Sequence, residues 1–223
     1  MPRIARAVAS GFPHHVVQRG NNRDQVFFDR EDRRRYLSLL KKYAEKWNSP
    51  VLAYCLMGNH VHLLTRPAFE TSLYKMMQGL TLCYTQHINR KYGRTGRLWE
   101  SRYHSCIVDQ ERYMWGAARY IEQNPVRARL VERAEAYPYS SARAHVTGKR
   151  DPVLGQEIFP PEERGDYVGL LGEALLPEVT EGLRQNTRKG TPLGDEDFVE
   201  RIEIELERSL VRKSRGRPKR RTE

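Results

Sequence analysis

Two short apolar runs, residues 51–57 (VLAYCLM) and 60–65 (HVHLLT), are separated only by Gly58-Asn59. Runs of this length read as strands and Gly-Asn as turn chemistry, so the segment predicts a β-hairpin. Around it the hydrophobic spacing alternates between two periods. Residues 14–19 (HHVVQR) are β-branched at their centre, stop at Gly20-Asn21-Asn22 and predict an earlier strand. Over residues 32–47, Tyr36, Leu39, Leu40, Tyr43 and Trp47 recur at the spacing of one helix face, and Asn48-Ser49-Pro50 ends it. Leu73, Met76, Met77, Leu80, Tyr84 and Ile88 predict a second helix over 72–91, closed by the basic loop Gly93-Arg94-Thr95-Gly96-Arg97. Residues 103–108 predict a fourth strand, and Asp109 is placed to cap a third helix running to about residue 123. The order β-α-β-β-α-β plus a helix predicts an α+β fold of the split-βαβ, ferredoxin-like kind: a four-stranded antiparallel sheet with helices on one face.

Beyond residue 150 the texture changes. Pro152, Pro160, Pro161, Pro177 and Pro192 punctuate it, and helical spacing returns only over 163–176 and 195–210. The reading is a principal domain over 1–150, a helical extension over 151–211 and a basic, flexible tail over 212–223 (RKSRGRPKRR at its start).

Charge narrows the partners. Lys and Arg number 39 against 28 Asp and Glu, a formal net charge of +11. An excess of this size favours polyanions, nucleic acid first. A membrane is not expected: there is no lipidation signal, no secretory leader and no apolar run of spanning length. Cys55, Cys83 and Cys106 form no Cys-x-x-Cys pair and read as buried small hydrophobes in a reducing, cytoplasmic compartment.

Two features carry chemistry. In Asn59-His60-Val61-His62-Leu63-Leu64, strand alternation puts His60 and His62 on one face, where two imidazoles can ligate a metal or meet a phosphate. A bare His-x-His serves surface or packing roles as readily; the apolar flanks place this one on a rigid strand. In YIEQNPVRA (120–128), Tyr120 and Asn124 share a helix face, with Pro125 expected to end the helix. Together they could offer a nucleophile and a neutral oxygen ligand, or be a core tyrosine beside a C-cap asparagine.

In combination HHVVQRGNN (14–22), NHVHLL (59–64), GRLWESRYHS (96–105) and YIEQNPVRARLV (120–131) resemble the REP-associated tyrosine transposases, a branch of the single-tyrosine HUH (IS200-like) transposases. The resemblance covers residues 10–150 and, more loosely, the basic C-terminal region. It implies that Tyr120 is the catalytic nucleophile, that His60 and His62 are the metal pair with Asn124 as third ligand, and that the metal is Mg²⁺ or Mn²⁺. The implied substrate is single-stranded, hairpin (REP-like) DNA, cut and rejoined through a 5′-phosphotyrosine. It further implies a nucleoid-associated monomer with no organic cofactor. Arg3, Arg6, Arg94, Arg97, Arg102, Arg127, Arg217 and Lys219 are candidate DNA contacts. Trp99, Tyr103 and Tyr92, interleaved with these basics, serve either base stacking or core packing. Alternatives are another HUH nuclease (a replication initiator or relaxase), or a DNA-binding regulator whose nuclease activity is lost or incidental. The position of Tyr120 after the His pair, and Gln123 where initiators often carry lysine, argue against the first.

Overall fold

The computed structural model describes residues 6–210. Four strands, β1 (His14–Arg19), β2 (Val51–Leu56), β3 (His60–Thr65) and β4 (His104–Ile107), form one sheet in the order β2-β3-β1-β4, every neighbouring pair antiparallel. β2 and β3 are the expected hairpin, closed by the Met57 N–H donating to the His60 carbonyl at 2.9 Å. Helices α1 (Arg30–Lys46) and α2 (Ser72–Lys91) are the crossovers from β1 to β2 and from β3 to β4. The α+β, split-βαβ arrangement expected from the sequence is therefore the fold.

α1 and α2 cover one face. Tyr36, Leu39, Leu40 and Ala44 of α1 and Leu73, Met76, Leu80, Tyr84 and Ile88 of α2 bury against Val16, Tyr54, Leu56, Val61 and Leu63. Trp99 packs with Tyr36 and Tyr84, so it belongs to the core. The two helices are also fastened by charge. Asp32, wholly buried, closes a capping box with Asp29 at the α1 N-terminus and accepts from Lys91 Nζ at 3.0 Å and the Tyr92 hydroxyl at 2.9 Å. A buried carboxylate is tolerated because each of its oxygens is hydrogen-bonded.

The opposite face, which the split-βαβ reading of the sequence left without helices, carries α3 (Gln110–Glu122), α4 (Asn124–Arg127), α5 (Ala142–Thr147), α6 (Arg164–Gly172) and α7 (Pro177–Lys189). Asp109 caps α3 by accepting from the Glu111 N–H. α3 ends just before Pro125 as expected, and Pro125 sits in the first turn of the short α4, where a missing N–H costs nothing. α7 was not foreseen; Pro177 opens it and Gly190, left-handed at φ 76°, closes it. α8 (Glu196–Glu205) places Phe198 and Ile202 against Ala9 and Ile107. Residues 151–210 share one core with the preceding chain: Ile158, Phe159, Tyr167, Leu171 and Leu183 pack with Leu52, Cys55, Leu64 and Ile121. The segment after α7 also covers the sheet edge, Leu193 donating to the Ile107 carbonyl and accepting from the Asp109 N–H. Among the described residues no helix is long and apolar enough to cross a membrane.

A buried polar knot holds these helices to α3. Glu122, fully inaccessible, accepts at Oε1 from Ser141 Oγ (2.5 Å) and His145 Nδ1 (2.6 Å), and at Oε2 from the Tyr167 hydroxyl (2.8 Å). Glu122→Ala would strand the Tyr167 hydroxyl and His145 Nδ1, Ser141 keeping its bonds to the Tyr54 backbone, and a loss of about 3 kcal/mol is expected by urea denaturation. A loss below about 1 kcal/mol would show the knot to be dispensable.

His14 makes the fold acid-sensitive. Burial lowers its pKa from 6.5 to about 4, partly offset by its bond to the Phe12 carbonyl, while its Nε2 accepts from the Ala9 N–H. Between these two values the unfolded chain takes up a proton that the native state refuses, so stability is full above about pH 6.5 and falls as pH drops toward 4. Denaturation midpoints measured from pH 7.5 to 4.5 should decline through this window, less steeply in His14→Gln.

Candidate active site

Alternation along β3 decides what faces α3. Val61 and Leu63 point into the α1/α2 core; His60 and His62 point the other way, ring centroids 5.1 Å apart. α3 crosses β2 and β3 on this side, and Tyr120, on its last turn, brings its ring to 5.7 Å from His62. The strand histidines and the helix tyrosine, 58 residues apart from His62, thus meet within one chain, as the sequence reading required.

The structure adds a third histidine. His15 of β1 lies on the same face, stacked on His62 at 5.3 Å and edge-on to Tyr120 at 5.6 Å. Its Nε2 is 3.0 Å from His62 Nδ1 and its Nδ1 is 2.7 Å from Thr187 Oγ1 on α7, which in turn lies 3.2 Å from Cys106 Sγ. If His62 offers the Nε2 lone pair to a cation, its Nδ1 carries the proton and donates to His15 Nε2. His15 is then protonated at Nδ1 and donates to Thr187. His60 is held in the same sense: its Nδ1 donates to Asn59 Oδ1 at 2.7 Å, and Asn59 Nδ2 donates to the Arg23 carbonyl at 2.8 Å. That carbonyl is positioned by the turn after β1, where Asn22 and Arg23 adopt left-handed backbone, φ 52° and 62°. Gly20 opens the turn because a Cβ there would stand 2.3 Å from the Asp24 carbonyl oxygen.

All three imidazoles are held neutral. Burial lowers His15 to about 3, with Arg127 adding to it, and His60 to about 4, with Arg19 adding to it. His62 is pushed well below its ordinary value by burial, then by His15 and His60. A neutral imidazole with its Nδ1 proton committed is the form that ligates a metal through Nε2. No third His, Cys, Asp or Glu joins the pair among the described residues. Asn124 donates from Nδ2 to the Tyr120 and Ile121 carbonyls at 3.0 and 3.2 Å, which leaves its Oδ1 as the oxygen a cation could use. Two neutral imidazole nitrogens suit a catalytic cation that keeps open positions better than a closed structural site.

Of the arginines expected at DNA, Arg127 stands here: it donates to the Tyr120 carbonyl and lies 4.4 Å over the Tyr120 ring. Arg19, whose Cα is paired with His60 and which the sequence reading passed over, is the other exposed cation beside the pair. Arg6 bonds the Tyr103 carbonyl, Arg94 lies over Phe28, and Arg97 and Arg102 are exposed. Arg3, Arg217 and Lys219 lie outside the described residues. Gln123 ties α3 to the segment after α6, donating to the Leu171 and Glu173 carbonyls. Tyr92 donates to Asp29 and Asp32, a structural role.

A split-βαβ sheet with paired strand histidines facing a helix tyrosine defines the single-tyrosine HUH class of transposases. The sequence profile of the IS200-like transposases matches residues 9–124, just over half of the chain, and the chain belongs to that family. A Haemophilus influenzae protein provisionally named a REP-associated tyrosine transposase is 23% identical over 141 residues, spanning 59% of this chain and 76% of that one. The fold matches a solved REP-associated tyrosine transposase, bound to a REP hairpin, with TM-score 0.52 at 16% identity, over 72% of this chain and 94% of the other.

His15→Phe keeps the ring and removes both hydrogen bonds. Mn²⁺ affinity by titration calorimetry should fall about 10- to 100-fold, with a smaller fall in Thr187→Val. Unchanged affinity in both would mean that His62 needs no support from the extension.

Proposed function

We propose that the protein is a metal-dependent single-stranded DNA endonuclease and strand transferase that acts on hairpin, REP-like DNA with Tyr120 as nucleophile. The observation that carries the reading is the approach of the Tyr120 ring to 5.7 Å from His62, beside a histidine pair whose Nδ1 atoms are already committed. Mg²⁺ or Mn²⁺ held by His60 Nε2, His62 Nε2 and Asn124 Oδ1 would supply Lewis acidity to the scissile phosphate. Tyr120 attacks the phosphorus. The bond from its oxygen to phosphorus forms as the bond to the 3′-oxygen breaks, the phenol proton is lost, and the leaving oxygen gains one as a 3′-hydroxyl. The result is a 5′-phosphotyrosine that keeps a phosphodiester, so attack by a different 3′-hydroxyl rejoins the strand without an external energy source. Arg127, over the Tyr120 ring, offsets the negative charge that develops on the attacking oxygen. Arg19, beside His60, is placed to bind the phosphate backbone.

Hairpin DNA as partner is supported by the net charge of +11 and by the fold shared with a transposase solved on a REP hairpin. Action as a monomer is supported by Tyr120 and both histidines coming from one chain.

The test is a labelled single-stranded hairpin oligonucleotide from the source genome, incubated with the protein and Mg²⁺ or Mn²⁺. A covalent protein–DNA band is expected that disappears in Tyr120→Phe and in EDTA, and weakens at least about 100-fold in His62→Ala. DNA binding with no adduct under any metal would overturn the nuclease reading and favour a DNA-binding regulator.

A further inference from the structure

Of the four runs that carry the resemblance, GRLWESRYHS (96–105) is the one to which the chemistry above gives no part. His104, near its end, opens β4, and sheet register decides where its ring stands. On β1, Val17 is paired with His62 on one side and with His104 on the other. Residues directly opposite one another in an antiparallel sheet put their side chains on the same face. His104 therefore shares the face of His60, His62 and Tyr120, two strands away from His62. At about 4.8 Å per strand the two Cα atoms stand about 10 Å apart, within the combined reach of two imidazoles and a phosphate between them. Val17, in the interval, is only half-buried and His104 is exposed, so solvent reaches both the ring and the floor beside it.

The surroundings of His104 suit a phosphate. Arg19, two residues beyond Val17 on β1, is its diagonal neighbour on this face. Arg6 stands near it from the N-terminal segment, the Arg188 carbonyl of α7 faces its ring, and Glu100 is the carboxylate facing it. Burial and then Arg6 lower the pKa of His104, with Arg19 adding to them, while Glu100 and the Arg188 carbonyl oppose the shift. Such a ring gives up a proton readily, and a phosphate anion bound beside it favours the charged form until the bond breaks.

The cleavage leaves a 3′-oxygen that must gain a proton. Arg19 and Arg127 keep their protons, and those of His15, His60 and His62 are committed to hydrogen bonds. We propose that His104 is the general acid of the cleavage, donating its imidazolium proton to the 3′-oxygen, and the general base of the rejoining step. In cleavage the bond from the Tyr120 oxygen to phosphorus forms and the phenol proton passes to water. The electron pair of the broken phosphorus–oxygen bond stays on the 3′-oxygen, which the His104 proton converts to a hydroxyl. In rejoining, the neutral imidazole takes the proton of the attacking 3′-hydroxyl, and the Tyr120 oxygen regains one from water as its bond to phosphorus breaks. The assignment rests on the nuclease reading above and adds its proton donor.

The experiment is single-turnover cleavage of a labelled hairpin oligonucleotide by the full chain in Mn²⁺. The leaving 3′-atom is either oxygen or a sulfur substituted for it, which departs as a thiolate and needs no proton. His104→Gln should cleave the oxygen substrate about 100-fold more slowly than wild type, and the sulfur substrate within about threefold of wild type. The exposure of His104 leaves the core untouched by the substitution. Equal slowing on both substrates, or no slowing on oxygen, would overturn the assignment while the Tyr120-dependent adduct of wild type keeps the nuclease reading intact. Wild type that forms no adduct with either substrate would overturn both.

Discussion

The pairing of β1 with β3 is the constraint on which the site depends. With His62 opposite Val17 and Leu64 opposite His15, the residues facing α3 from β3 and from β1 are fixed together. A one-residue slip of β1 would turn His15 away and bring His14 in its place, and the same slip of β3 would turn Val61 toward Tyr120. The register is held from both sides. Val16, Val61 and Leu63 cannot leave the α1/α2 core without exposing apolar surface, and the His15–His62 bond closes the opposite face. The two motifs, whose histidines 15 and 62 stand 47 residues apart, are therefore one structural unit. Residues 14–23 provide the partner of His62 directly, and through Arg23 and Asn59 that of His60.

The helical side is built on the same logic of mutual restraint. Tyr120 projects from a helix whose next residues but one, Glu122 and Gln123, are buried and fully engaged with α5, α6 and the chain after α6. As the proposed nucleophile, Tyr120 needs a fixed approach to the phosphorus, since small displacements are costly in rate. The polar knot under α3 gives that fixity more firmly than an apolar contact would, because each of its bonds is directional.

Much of this was legible before any coordinates. β3 and α2 have the bounds that their hydrophobic spacing predicts, because a run facing a core on one side has a single admissible period. That His60 and His62 share a face follows from strand alternation, whereas singling out Tyr120 took the resemblance, because its segment reads equally as a core tyrosine beside a C-cap asparagine. His15 did not follow: in HHVV either histidine can be the inward one until β1 is paired with β3. α7 was hidden because Pro177 reads as a breaker and its buried stripe reduces to Leu183 and Thr187 on an otherwise polar helix. α3 ends just before Pro125 as expected, but the short α4 that Pro125 opens was hidden for the related reason that proline ends a helix from within and is tolerated in a first turn.

Thr187 gives the C-terminal helices a meaning that their position in the chain conceals. It stands 172 residues from His15, yet the orientation of His62 passes through its hydroxyl. A region that reads as an appendage is thereby wired to the most constrained strand of the fold. In descent, the two segments are expected to drift as a matched set: a lineage that exchanged its C-terminal helices for others would have to re-tune β1 in the same step, or forgo the support beneath His62.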